Sequence, residues 1–177
     1  MKTLTLLRHA KSSWDDAVAR DFDRPLNPKG QRAAEAMGRH ARSLGLGFDR
    51  VMASPAVRVV ETLEHFAAGY GDDLAPQWEP RVYLASTATL LDLVRELPDA
   101  ADSVLLVGHN PGFEELVLLL APEGPLRDDV EVKFPTASLA ELRFPVSGWA
   151  EVAPASADLV RFVRPRDLDP NFGPDAL

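Results

Sequence analysis

Three short apolar segments, each followed by a stretch with helical spacing, constrain the fold of this chain most strongly. Residues 2–7 (KTLTLL), 51–53 (VMA) and 103–107 (SVLLV) have the length and composition of buried strands. Each precedes a segment whose apolar residues recur every three or four positions, as on one face of a helix. Strands that alternate with helices predict a mostly parallel sheet covered on both faces. We therefore expect an α/β fold, a three-layer α/β/α sandwich with a mostly parallel central sheet.

The same pair of residue types marks the starts of three helices. Asn27-Pro28, Ser54-Pro55 and Asn110-Pro111 each place a capping side chain directly before a proline. Proline suits the first helical turn because the backbone N–H that it lacks would have no partner there. We therefore predict helices that begin at these three positions.

The rest of the chain predicts less regular structure. Proline, glycine and acidic residues break the helical spacing over 121–135, which we interpret as a surface excursion before a strand near 138–144. Trp149 and residues 159–163 are consistent with edge strands, and 164–177 with a loosely packed tail. We find no repeat or linker, so we expect one domain over residues 1–177.

Composition excludes several classes of protein. The 177 residues include no cysteine, which excludes disulfides, cysteine-based zinc sites and thiol catalysis. A net charge of −8 disfavours nucleic acid and anionic membranes as partners. Arg8 and His9 interrupt the N-terminal apolar run, and no segment approaches the roughly 18 apolar residues of a membrane span. We therefore expect a cytoplasmic protein that binds neither nucleic acid nor membranes.

Two histidines follow predicted strands. His9 comes after the first strand together with Arg8, and His109 comes after the strand at 103–107. In open α/β sheets, ligands bind in the crevice beyond the carboxyl ends of the strands, so both histidines are candidates for one site. Arg8 and His9 can share that site if the strand has already turned into its loop.

Arginine beside these histidines indicates a phosphate site. Arg58 lies in the first turn of the predicted second helix, where free N–H groups and the helix dipole favour an anion. Arg8 and Arg58 can each grip phosphate oxygens with a planar, permanently charged guanidinium. Ser12 and Asn110 are further candidate phosphate ligands, although the Ser12 hydroxyl serves equally well to satisfy the loop backbone.

This set of residues suits phosphoryl transfer. A neutral imidazole can attack phosphorus, and nearby arginines disfavour protonation of His9, which predicts His9 as the nucleophile. His109 would then donate a hydrogen bond to a non-bridging oxygen, although the sequence leaves its protonation state open. Because the two histidines lie on different loops and no carboxylate spacing resembles a ligand set, we expect neither a metal nor another cofactor.

In several motifs, the sequence resembles the histidine phosphatase superfamily, which includes the phosphoglycerate mutases. Within that superfamily it resembles the SixA-type phosphohistidine phosphatases. The matching pieces follow one another in the expected order and cover most of the chain. They are residues 6–10 (LLRHA) with Ser12 and Trp14, residues 23–27 (DRPLN) with Gly30, residues 53–55 with Arg58 and Thr62, residues 108–111 (GHNP) and residues 134–138 (FPTAS).

The resemblance implies a phosphoglycerate mutase-like fold and a phosphohistidine intermediate on His9, in a pocket completed by Arg8, Arg58 and His109. Ala10 departs from the glycine that is commoner in the broad family. Larger members carry insertions that cap the site and supply an acid for an alcohol leaving group. The short segment at 76–86 leaves no room for such a lid, and an open site suits a protein-bound substrate.

Three functions remain open from the sequence. The first is a phosphohistidine phosphatase acting on a phosphotransfer or signalling protein. The second is a phosphomonoesterase for a small phosphorylated metabolite, which would need a proton donor such as Asp21 or Asp23. The third is a phosphate-binding module without turnover, which would not need a nucleophile. We interpret Trp14 and Trp149 as packing groups.

Overall fold

Lys2–Arg8 forms β1, which lies inside a sheet built from the elements that the sequence predicts. The computed structural model describes residues 1–14 and 20–173. The other strands are β2 (Arg50–Ala53), β3 (Gln77–Trp78), β4 (Ser103–Gly108), β5 (Leu139–Phe144) and β6 (Asp158–Val163). The helices are α1 (Pro28–Ser43), α2 (Val57–Tyr70), α3 (Thr87–Arg95), α4 (Gly112–Leu120), α5 (Pro125–Val132) and α6 (Pro165–Leu168).

The six strands are arranged in the order β3-β2-β4-β1-β5-β6. The first four strands in that order are parallel to one another, and β5 is antiparallel to both β1 and β6. Every strand except β5 therefore runs in one direction, which confirms the mostly parallel sheet. Arg8 pairs with Gly108 and Ala53 with Val107, so β1, β2 and β4 end at one edge of the sheet.

Side chains of β4 show how the sheet is covered on both faces. Leu105 and Val107 pack in a buried cluster with α1 and α2, whereas Val104 and Leu106 belong to a second cluster with α3 and α4. Successive side chains of a strand point to opposite faces, so each pair reaches a different helical layer. The predicted three-layer α/β/α sandwich is confirmed.

One of the three predicted helix starts has the expected form. The Asn27 side chain accepts a hydrogen bond of 2.8 Å from the backbone N–H of Gly30, and α1 begins at Pro28. Asn110 accepts a bond of 3.2 Å from the N–H of Glu114, but α4 begins one residue later than predicted, at Gly112.

The predicted start of α2 is wrong by two residues. The helix begins at Val57, and its N-cap residue is Ala56, whose side chain cannot cap. Ser54 lies close to the Ala56 N–H, at 3.3 Å, but its hydroxyl also meets the His109 ring at 2.8 Å. Ser54 and Pro55 therefore lie in the loop before the helix, because the serine side chain contacts His109 in another loop.

Two regions are more ordered than expected. The excursion over 121–135 does lie at the surface, but it is not irregular, because it contains α5 with Val130 fully buried. Because only one of the eight residues of α5 is buried, the sequence shows little of the apolar spacing that indicates a helix. The described part of the expected loose tail also packs, since Pro165 is buried and Phe172 contacts the cluster around Ala33.

Trp149 lies in a short 3-10 turn and not in a strand. Its ring is fully buried, and the indole N–H donates to the carbonyl of Ala101 at 2.7 Å, so its interpretation as a packing group is confirmed. The expected edge strand at 159–163 is β6. Within residues 1–14 and 20–173, no helix combines the length and apolarity needed to cross a bilayer.

Close contact between α1 and α2 depends on glycine. A Cβ placed on Gly38 would come within 2.0 Å of the Phe66 carbonyl oxygen, and one on Gly69 within 2.0 Å of the Glu35 carbonyl oxygen. The two helices therefore meet backbone to backbone, and this contact fixes α2, which carries Arg58.

We predict that Gly38→Ala lowers the free energy of unfolding by about 1 to 3 kcal/mol, because the added methyl forces the helices apart. This loss should appear although alanine is favoured over glycine inside a helix by about 1 kcal/mol. Gly47→Ala is the control, since nothing lies within 4 Å of its Cβ position. Urea denaturation measures both, and equal stability of the two variants would contradict the close contact.

Candidate active site

Three loops meet where β1, β2 and β4 end. The N–H of His9 donates to the Gly108 carbonyl at 3.0 Å, and the N–H of Ser54 donates to the Val107 carbonyl at 3.1 Å. These bonds extend the pairing of the strands by one residue into each loop. His9, Ser54 and His109 are thereby brought into a single cluster.

The His9 ring is oriented by its own loop. Its Nδ1 lies 2.8 Å from the carbonyl oxygen of Ala10, which can only accept, so Nδ1 carries the proton. The other nitrogen, Nε2, therefore keeps a free lone pair. The Ala10 N–H donates to Thr62 Oγ1 at 2.9 Å, and this hydroxyl donates to the Arg58 carbonyl at 2.6 Å. The loop is thus tied to α2.

His9 stays neutral at ordinary pH. Burial lowers its pKa most, since only 7% of the residue is exposed. The hydrogen bond to Ala10 acts in the opposite direction, while the charges of Arg8 and Arg58 and the nearby His109 lower the pKa further. The resulting pKa is about 3, so the ring is a neutral imidazole with an available lone pair at pH 7.

The His109 ring lies beside His9, with 5.4 Å between the ring centroids. Its Nδ1 is 3.3 Å from Arg58 Nη2, which can only donate, so Nδ1 accepts. The proton therefore lies on Nε2, which donates to Ser54 Oγ at 2.8 Å. Burial and then Arg58 lower the pKa to about 3, against an opposing effect of Asp21. His109 is neutral here and directs its proton at Ser54.

The two arginines of the predicted site are held differently. Arg58 is 3% exposed and donates to Asp21 twice, to the carbonyl oxygen at 2.8 Å and to Oδ2 at 2.9 Å. Arg8 donates from Nη1 to the Phe134 carbonyl at 2.8 Å, and its buried Nε has no partner among the described residues. Burial lowers the pKa of Arg8, with Glu114 opposing and Arg58 adding to the effect.

Asp21 binds Arg58 as a carboxylate and carries no proton that it could donate. Its Oδ2 accepts from the Tyr83 hydroxyl at 2.7 Å, and Oδ1 accepts from Arg24 at 2.8 Å. Burial raises the pKa of Asp21, but the hydrogen bonds from Tyr83, Arg58 and Arg24 outweigh it and bring the pKa to about 2. Asp23 forms an exposed ion pair with Arg20 at 2.9 Å. With a pKa of about 2, Asp21 is a poor proton donor at neutral pH.

Ser12 and Asn110 make their described contacts within the protein. The Ser12 hydroxyl accepts from the Arg24 guanidinium, a use that the sequence did not suggest. Asn110 donates from Nδ2 to the Phe134 carbonyl at 3.0 Å and accepts from the Glu114 N–H. Both side chains therefore hold the loops that carry the histidines.

Residues 134–138 join the two histidine loops. The Ala137 N–H is shared between the carbonyls of Arg8 and His9 at 3.1 and 3.0 Å, and the Ser138 carbonyl accepts from the Arg8 N–H at 3.1 Å. Ala137 adopts a left-handed conformation with φ of 60° to make these contacts. The Phe134 carbonyl accepts from Arg8 and from Asn110, so this segment braces the site from the β5 side.

The sequence did not indicate two of the side chains that contact the histidines, and it misjudged Trp14. Ser54 was predicted as a helix cap and matched the family motif without a role in the site. Tyr83, whose ring lies edge-on to His109 at 5.4 Å, carried no prediction. Trp14 is 79% exposed with the Arg24 guanidinium 3.3 Å above its ring, so its interpretation as a packing group is wrong. In the described part of the chain, no group of three or more His, Asp or Glu side chains is placed to hold a metal ion.

Known proteins share both the sequence and this architecture. The model of the histidine phosphatase superfamily (branch 1) matches residues 4–82. An uncharacterised protein of Mycobacterium tuberculosis is 36% identical over 165 residues, which cover 90% of this chain and 100% of the relative. The chain belongs to the histidine phosphatase superfamily.

Solved structures place it in the SixA-type branch of that superfamily. A protein of Nakamurella multipartitia, provisionally assigned as the phosphohistidine phosphatase SixA, gives a TM-score of 0.81 at 30% identity and covers 93% of this chain and 96% of its own. A counterpart from Agrobacterium tumefaciens, also provisionally assigned, gives 0.77 at 30% identity, with 92% and 97% covered. The resemblance stated from the sequence motifs and the phosphoglycerate mutase-like fold are therefore confirmed.

The low pKa of His9 predicts a specific dependence of stability on pH. The folded pKa of about 3 lies below the ordinary value of 6.5, so the unfolded chain binds the extra proton between these values. Stability should therefore fall as the pH drops below about 6.5. At about 1.4 kcal/mol per pKa unit, wild type should lose about 2 kcal/mol more than His9→Asn between pH 6.5 and about pH 4.5.

Urea unfolding of both proteins at the two pH values measures this difference. Asparagine is smaller than histidine but polar, and it does not titrate, so the titration of the other groups is common to both proteins. Parallel losses in the two proteins would contradict a buried neutral His9.

Proposed function

We propose that this histidine phosphatase removes the phosphoryl group from a phosphohistidine on a signalling or phosphotransfer protein, through a covalent intermediate on His9. The observation that carries the proposal is the neutral His9 ring, whose Nδ1 proton is bound to Ala10 and whose Nε2 is free. A buried imidazole in this state is a nucleophile that needs no separate base.

In the first step, the lone pair of His9 Nε2 attacks phosphorus. The bond between phosphorus and the substrate imidazole breaks, and its electron pair returns to that nitrogen. The substrate ring leaves as neutral imidazole after its other nitrogen has taken a proton from water. In the second step, water attacks the phosphorus on His9, the bond to Nε2 breaks, and its electron pair returns to Nε2. One proton of this water leaves with hydrogen phosphate, and the other neutralises the hydroxide that the first step produced.

Arg8 and Arg58 would bind the non-bridging oxygens and offset their negative charge. Arg58 is oriented for this by Asp21, which takes one side of the guanidinium. Arg8 brings a buried Nε donor that lacks a partner among the described residues. A phosphoryl oxygen beside these groups would accept a hydrogen bond from Arg8 Nε.

His109 would act as a donor only after a change of protonation. Its proton is bound to Ser54 in the present arrangement, and Nδ1 accepts from Arg58. The negative charge of a bound phosphoryl group opposes the effects that lower the pKa of His109. We expect Nδ1 then to take up a proton and donate to a phosphoryl oxygen, while Nε2 stays on Ser54.

The state of Asp21 favours phosphohistidine over phosphate esters as the substrate. An alkoxide leaving group needs a proton from an acid, whereas an imidazole is a better leaving group. Asp21 contacts Arg58, but its pKa of about 2 leaves it without a proton. A small-metabolite phosphomonoesterase would lack this donor, and a binding module would need no free Nε2.

The test is phosphate release in EDTA from a histidine-phosphorylated protein and from a panel of sugar and aryl phosphates. We predict turnover of the phosphohistidine substrate and a loss on the order of 10³-fold or more in His9→Ala. His40→Ala is the matched control, since this α1 histidine contributes no side chain to the site. Full activity in His9→Ala would contradict the mechanism, and faster turnover of the oxygen esters by wild type would favour the metabolite phosphatase.

A further inference from the structure

A cavity of about 290 Å³ opens beside Arg8, and His9, Arg58 and His109 are not among its lining residues. It lies between the loop after β1, the start of α1, the segment before β5 and the segment after β6. We call it the basic pocket because the charged side chains that line it are all cationic. They are Arg8, Lys11, Lys29, Lys133, Arg164 and Arg166.

Strand directions explain why distant cations meet here. β5 begins and β6 ends at the edge where β1 ends, since Leu7 pairs with Leu139 and Leu139 pairs with Val163. Lys133 before β5 and Arg164 after β6 therefore arrive beside Arg8. Such a concentration is notable in a chain of net charge −8.

Acidic groups outside the lining act on two of these cations. Arg164 forms an ion pair with Asp167 at 2.9 Å and interacts with Asp129, and Glu114 acts on Arg8. Lys133 and Arg166 are exposed at its rim. None of the described residues that line the pocket is Asp or Glu, so its field is positive and attracts anions.

The basic pocket also has an apolar part. Ala33, Pro135, Pro165 and Phe172 line it, and Lys29 donates to the Gly173 carbonyl at 2.8 Å. Long cationic side chains beside apolar residues can contact the carboxylates of an extended segment while their methylene stems pack against the apolar surface.

We propose that the basic pocket binds acidic side chains that flank the phosphohistidine of the protein substrate. This inference rests on the proposed function. Arg8 connects the two sites, because it directly precedes His9 in the chain and also lines the basic pocket. A segment with its phosphohistidine at His9 therefore passes next to the basic pocket, where complementary charge would speed association and select the partner.

The test uses two chemically phosphorylated peptides that share one histidine and differ only at the flanking positions, acidic in one and Asn or Gln in the other. Wild type should show a kcat/KM about five- to tenfold higher for the acidic peptide, through KM, because each exposed charge pair contributes little. Lys133→Gln combined with Arg166→Gln should abolish the preference and leave turnover of the neutral peptide unchanged.

Arg39→Gln combined with Arg143→Gln is the matched control. Both side chains are exposed, at 59% and 45%, and the pair removes the same charge away from the pocket. Equal kcat/KM for the two peptides in wild type, or a preference that survives in the Lys133 and Arg166 variant, would overturn the inference. Loss of the preference in the control variant would also overturn it, because net charge alone would then explain the effect.

Failure of the proposed function is distinguishable from failure of this inference. If neither peptide is hydrolysed, the phosphohistidine assignment fails, and titration calorimetry with the two intact phosphopeptides still tests the pocket. Tighter binding of the acidic peptide that is lost in the Lys133 and Arg166 variant would support it, and equal binding of the two peptides by wild type would overturn it. Tripolyphosphate that binds the pocket while the flanking residues have no effect would also overturn it, in favour of a small polyanion.

Discussion

The hydrogen bond between His9 Nδ1 and the carbonyl oxygen of Ala10 fixes the chemistry available to this site. Because a carbonyl only accepts, the bond places the proton on Nδ1 and leaves the lone pair on Nε2. Burial then keeps the ring neutral by lowering its pKa to about 3. Without that bond, the lone pair of the ring could lie on either nitrogen. Without burial, the ring would be partly protonated near neutral pH.

The rest of the fold keeps this bond in place. Thr62 on α2 holds the Ala10 N–H, and the Ala137 N–H holds the carbonyl of His9. The loop of β4 adds the Gly108 carbonyl, which accepts from the His9 N–H. The position of the His9 ring therefore depends on elements from three parts of the chain, and a shift of α2 would move Ala10.

Local signals in the sequence predicted much of this arrangement. Alternating strands and helices indicated the sheet, and the position of Arg58 just inside a helix followed from the spacing after Pro55. Contacts between distant residues left no such signal. Ser54 has the pattern of a cap, and only the fold shows that its hydroxyl meets His109. Tyr83 reaches Asp21 across 62 residues of sequence, and no local pattern marks that pairing.

The sequence did not predict the basic pocket, because the pocket also depends on contacts between distant residues. Arg164 and Arg166 lie in the segment predicted as a loose tail. This short segment is rich in charged residues and proline, so its apolar residues show no helical or strand periodicity. The structure turns that segment back over α1, where Phe172 packs near Ala33. Arg164 and Arg166 have the pattern of ordinary surface charges in the sequence, but the fold places them in the same pocket lining as Arg8.

The most direct measurement is to trap the phosphorylated protein by rapid denaturation in alkali and to locate the phosphorus by mass spectrometry and ³¹P NMR. We predict one phosphoryl group, labile in acid, bonded to Nε2 of His9. Phosphorus on Nδ1 of that ring, on His109 or on any other residue, or turnover without a covalent intermediate, would contradict the assignment of His9 Nε2 as the nucleophile.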